Sequence, residues 1–203
     1  MTANLNLQLT YTVDEDGSKR LHIPEEQRQR AVAFVREGGA MPAAEIEAIV
    51  QEGHDALMAT IDGVSEAQAT WKPAPDEWSI IDVMAHCVSV KRAMALLSHH
   101  LGKGELPPGF GPQFEEARVQ DGFITQAFAS LAEARQAAEE AHRALVAQIR
   151  ALDDPARDTR KTFRHFYFGA FNAREWPVFQ RVHDGDHWPH IEKIRASAAF
   201  PAA

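Results

Sequence analysis

The chain holds ten histidines in 203 residues, and three of them stand where they could act together. His183 and His187, in His183-Asp184-Gly185-Asp186-His187, are four residues apart. On a helix that spacing puts both imidazoles on one face, about 40° apart around the axis and one turn apart along it. Such a pair grips a metal ion at two points. His86 closes the run Trp78-Ser79-Ile80-Ile81-Asp82-Val83-Met84-Ala85-His86. A third imidazole from a facing helix completes a site of three protein ligands, with positions left for water or substrate, as in reactive rather than closed structural metal sites. Three neutral imidazoles suit zinc, nickel, cobalt or ferrous iron without choosing among them. With an open position, the metal either makes a nucleophile of bound water or holds a substrate thiolate. On spacing alone, three unrelated histidines remain the competing reading.

Other residues near these segments have plainer roles to set beside chemical ones. His190 lies three residues after His187 and seven after His183, so it shares their face either as a surface residue or as a contact to ligands or substrate. His54 follows an apolar stripe between Val50 and Leu57 and reads as a core or cleft residue. His165, ahead of the last helical segment, is placed to line the cleft. Trp188 is the one tryptophan placed to wall it; Trp71, Trp78 and Trp176 read as packing. Cys87 points about 100° away from His86 around a helix and reads as a buried, inert thiol rather than a nucleophile. Asp184 and Asp186 read as solvated, because helix neighbours one residue away rarely reach each other's side chains. Pro189 predicts a kink in the ligand helix, its ring pressing on the carbonyl of Gly185. His99 and His100 end a helical segment, where cations favour the helix dipole. No Gly-x-Ser-x-Gly elbow, phosphate-cradling glycine loop or His-Glu-x-x-His is present, which removes serine hydrolase, nucleotide-binding and zincin readings.

Four long helical patterns position these residues. They run over about 42–62, 79–101, 123–152 and from between 172 and 177 to about 197, with Ser79 and Asp82 marking the start of the second. A four-helix bundle with long connections follows, its site built from side chains on facing helices. Ahead of it, residues 5–13 alternate apolar and polar, Asp14-Glu15-Asp16-Gly17 turns the chain, and 20–23 return it as a hairpin. An isolated hairpin is marginal, so it must lean on the body or on a partner. A short helix over 25–37 is stopped by Gly38-Gly39. The expected organisation is an extension over 1–40 and an all-α bundle over 41–200. Proline and glycine make 105–112 a loop.

Composition excludes several classes. With 45% hydrophobic and 25% charged residues the chain can bury one substantial core. A net charge of −8 and no basic stripe argue against nucleic acid. The single cysteine rules out an intrachain disulfide and a cysteine zinc cage. No apolar run nears ~18 residues and no signal layout opens the chain, so a cytoplasmic protein without membrane contact is expected.

The stretch 71–86 resembles the entry to the second helix of DinB-like (DinB/YfiT-type) four-helix bundles, where a Trp-Ser pair starts the helix and a histidine follows two turns on. The stretch 163–191 resembles that family's last-helix region: an aromatic and glycine loop, then Arg174-Glu175-Trp176, then His-Asp-x-x-His-x-x-Gln-Ile. Here His190 stands in place of the glutamine. The resemblance covers about residues 43–197. It implies a divalent metal, zinc or nickel above all, on His86, His183 and His187, in a cleft at one end of the bundle, and a homodimer. It further implies a metal-dependent enzyme on a small molecule, either a transferase using a low-molecular-weight thiol or a hydrolase. The alternative is a non-catalytic dimeric bundle with a structural or vestigial metal site.

Overall fold

The computed structural model describes residues 7, 10–13, 19–107, 118–119, 127–165 and 167–202. Strands β1 (Thr10–Val13) and β2 (Lys19–His22) pair antiparallel, Thr10 opposite His22. The expected hairpin is therefore present at its core, while its turn over 14–17 lies outside the described residues. Leu7 packs on the main core, so the extension does lean on the body.

Helix α1 (Glu25–Gly39) takes in the two glycines expected to stop it and ends on the second. Both sit at a close contact. A Cβ on Gly38 would stand 2.7 Å from Val178, and one on Gly39 would stand 2.6 Å from Glu175 Cγ. The glycines let two helices touch at the point where α1 ends.

Helix α2 (Ala43–Ala59) is shorter than the predicted 42–62. A separate turn, α3 (Glu66–Thr70), follows under a capping box made by Ser65 and Gln68. Helix α4 (Ile80–Leu101) begins where Ser79 and Asp82 predict. Strand β3 (Arg118–Val119), from the stretch between the second and third helical patterns, adds a third strand beside β2. Helix α5 (Leu131–Ala151) starts later than the expected 123, because Ser130 Oγ accepts the Glu133 N–H and caps it there. Phe128 thus packs ahead of the helix, and 123–126 lie outside the described residues. The predicted loop before the last helix is a hairpin, β4 (Thr162–His165) and β5 (Gly169–Asn172), turned at Gly169 with φ +90°. Helix α6 (Glu175–Arg195) follows and stays helical through Pro189.

α2, α5, α4 and α6 form the bundle, each packed beside two others, and α1 lies outside against α6. Two apolar clusters fill it. One holds Val50, Val90, Met94, Leu145 and Val182, the other Leu57, Cys87, Val88, Ala141 and Ile191. Between them on the four helices fall His54, Lys91, His142 and Asp184, all buried. Among the described residues no helix is long and apolar enough to cross a membrane.

Candidate metal centre

Two helix starts aim the histidines. On α4, Ser79 Oγ accepts the Asp82 N–H and Asp82 Oδ2 accepts the Ser79 N–H at 3.0 Å, closing a capping box. Lys72 Nζ holds the same carboxylate at 2.9 Å. This fixes Trp78 just outside the helix and His86 two turns inside it. On α6, Asn172 Oδ1 accepts the N–H groups of Arg174 and Glu175, while the Glu175 carboxylate accepts the Asn172 N–H and pairs with Arg36 at 2.6 Å. Arg174 reaches across to donate to the carbonyls of Gly39 and Leu152. Gly53 completes the placement. A Cβ there would stand 2.7 Å from Arg181 Cδ, so α2 and α6 approach as closely as only glycine permits.

The result is a cluster of three imidazoles. Ring centroids lie 4.9 Å apart for His86 and His183, 4.7 Å for His86 and His187, and 4.4 Å for His183 and His187. One donor nitrogen from each falls within 4.8 Å of the others, and all three residues are half-buried. His86 Nε2 and His183 Nε2 face each other at 3.0 Å, close enough for one ring N–H to donate to the other. Burial, reinforced by the neighbouring histidines, holds His183 and His187 well below the ordinary histidine range. Both are neutral at pH 7, as metal ligands must be.

The donor set fits a divalent ion. Two nitrogens on one tetrahedral zinc, with bonds of 2.0–2.1 Å, stand about 3.3 Å apart, near the 3.0 Å observed. Two facing lone pairs repel unless a proton or a cation lies between them. The Nδ1 atoms of His183 and His187 are buried and find no hydrogen-bond partner among the described residues, so no carboxylate fixes the tautomer of either ring from behind.

The other residues singled out from sequence separate into two groups. His190 stays beside the cluster, its ring nearly parallel to Trp78 at 6.1 Å, and burial lowers its pKa. The tryptophan against the histidines is Trp78, 5.1 Å from His86 and 6.5 Å from His187. Trp188 instead carries the Arg181 guanidinium 4.6 Å above its ring. Gly185 lies under that stack, where a Cβ would meet Arg181 Nη1 at 3.0 Å. Its lack of a side chain serves this contact. His165 ends β4, opposite Gly169, its Nδ1 accepting the N–H groups of Tyr167 and Phe168 and its ring surrounded by Phe168, Phe179 and Trp176. Burial pushes it down to about 3.

Cys87 is buried, and burial together with Asp184 raises its thiol well above the ordinary range, so it is no nucleophile. Asp184 and Asp186 correct the expectation of solvated side chains. Asp184 is fully buried against Lys91 and Gln180, and burial pushes the half-buried Asp186 up to about 7. Lys91 was invisible as a partner, although it lies four residues after Cys87 and three before Met94, on a stripe otherwise apolar.

The sequence profile of the DinB superfamily matches residues 49–191, more than half of the chain, and spans all three histidines. The chain belongs to the DinB superfamily. Neither a curated protein nor a solved structure matches it. In this DinB-superfamily chain the three histidines that the family resemblance singles out are the three brought together, and Asp184 is the aspartate of the same His-Asp-x-x-His stretch.

Proposed function

We propose that His86, His183 and His187 hold one divalent ion, zinc or nickel, and that the protein is a metal-dependent enzyme acting on a small molecule. The observation that carries this reading is the convergence of three half-buried imidazoles, His183 and His187 held neutral by burial, with no carboxylate or thiolate in the same group. A structural site closes its coordination with four protein ligands, whereas three leave room for a reacting molecule. The bound ion supplies either a water of lowered pKa or a seat for a substrate thiolate. The protein groups do the rest. Trp78 walls the cluster and excludes water beside His86, and His190, stacked on Trp78, offers a ring to a substrate at the rim. Transfer to or from a low-molecular-weight thiol and hydrolysis both use this arrangement.

Metal analysis after loading with zinc and with nickel is expected to give about one ion per chain, lost in His86→Ala and His183→Ala. Loaded protein that retains no divalent ion would sink the reading. Chelated protein is expected to stay folded by circular dichroism, because the caps and core that aim the histidines make no use of the ion. Unfolding on chelation would instead point to a structural metal in a non-catalytic bundle.

A further inference from the structure

A carboxylate and an ammonium lie in the middle of the bundle, one residue beyond a proposed ligand. Asp184 is 0% and Lys91 1% exposed. Lys91 Nζ donates to His54 Nδ1 at 3.2 Å and stands 3.2 Å from Asp184 Oδ2, an ion pair off the hydrogen-bonding direction. Asp184 Oδ1 accepts from Gln180 Nε2 at 2.7 Å. His54 stacks flat on His142 at 4.1 Å, with its Nε2 3.3 Å from Glu139. All four bundle helices contribute a member.

Stability does not explain such a pair. Taking two charges out of water costs several kcal/mol per ion, and apolar replacements of buried pairs are often neutral or stabilising. Location gives a better account. Donor atoms of Asp184, His183 and Cys87 all lie within 4.8 Å of one another, and charges so deeply buried are screened little by salt. Three imidazoles carry no negative charge of their own, so a dication among them draws its counter-charge from elsewhere. Resting on the metal reading above, we propose that the Lys91–Asp184 pair sets the affinity of the histidine cluster. Asp184 supplies the anion that favours a dication on His86, His183 and His187, and Lys91, by partly cancelling it, limits how tightly the ion is held.

The two charges then act on affinity in opposite directions, which a merely structural role does not allow. Zinc and nickel affinities of the full chain are measured by competition with a chromophoric chelator, and the stability of the metal-free protein by urea denaturation. Coulomb's law for a unit charge and a dication roughly 6 Å apart gives about tenfold even at the dielectric constant of bulk water, so the less screened interior makes tenfold a lower bound. Asp184→Asn is expected to weaken binding by at least about that factor and Lys91→Met to tighten it, while the double variant returns near the wild-type value. Affinity falling in both single variants, in step with lost stability, overturns the inference and leaves the metal reading intact. Wild-type protein that takes up no dication overturns both. Should either single variant fail to fold, Lys91→Arg and Asp184→Glu decide. Stability reduced with affinity within about threefold of wild type supports the proposal, and affinity falling together with stability overturns it.

Discussion

His183 turns toward His86 and His187, where three half-buried rings meet. Asp184, about 100° further around the same helix, turns toward Lys91, where two formal charges and a ring stack share a fully buried layer. The first region is half-exposed, within reach of a ligand from outside. The second is buried and sets charge against charge, with Asp184 Oδ2 and His54 Nε2 in ion pairs off the hydrogen-bonding direction. Consecutive residues of one helix therefore serve different designs: a set of rings at the edge of the core, and a charged layer inside it. Altering the first should remove the seat of the ion, and altering the second should cost stability and retune how tightly the ion is held.

The sharpest break between them is His183→Ala, which is expected to abolish metal uptake while changing the stability of the metal-free protein by less than about 1.5 kcal/mol. Equal losses of stability in His183→Ala and Asp184→Ala would erase the distinction. Asp184→Ala strands the Lys91 charge and is expected to cost about 3–5 kcal/mol in urea denaturation. Acid tests the buried layer more gently. Burial, then the nearby Lys91, lowers the pKa of His54, and burial with His54 lowers that of His142 to about 3. The unfolded chain takes up these protons near pH 6.5 and the folded chain does not. The stability they contribute is therefore full above about 6.5 and drains progressively as pH falls toward 3. Urea midpoints of chelated protein between pH 7.5 and 4.5 should fall, less steeply in His142→Gln. The smallest effect expected is from Ser79→Ala, which removes a cap worth about 1 kcal/mol without touching either region.

Much of the ring cluster was legible in the residues. The i, i+4 histidines, the Ser79–Asp82 start signal and the order of the two family segments each rest on local rules, and local rules read directly from a chain. The layer was not legible, because a lysine on α4 and an aspartate on α6 look solvated until the helices that bury them are brought together. Glycines were legible only in part. Gly38-Gly39 reads as a stop, and α1 does end there, but the contact with Val178 and Glu175 shows only once α6 is in place. The β4–β5 hairpin escaped notice because the aromatic run over 166–168 that joins its strands hides the alternation in TFRH and offers no polar turn signal. Trp78 and Trp188 exchanged their expected roles, since which indole meets the histidines depends on how α4 is entered and not on proximity in sequence.

The charged layer also has a consequence for alignment during folding. The face of α5 presented to the core is lined by Ala134, Ala137, Ala138 and Ala141, and small side chains offer shallow ridges past which a neighbouring helix can slip by a turn. One turn is 5.4 Å. Slippage of that size between α4 and α6 would carry Lys91 away from Asp184 and set each against hydrocarbon. The layer therefore works as an index mark, penalising every axial offset but one, and the offset it selects is the one at which His86 comes level with His183.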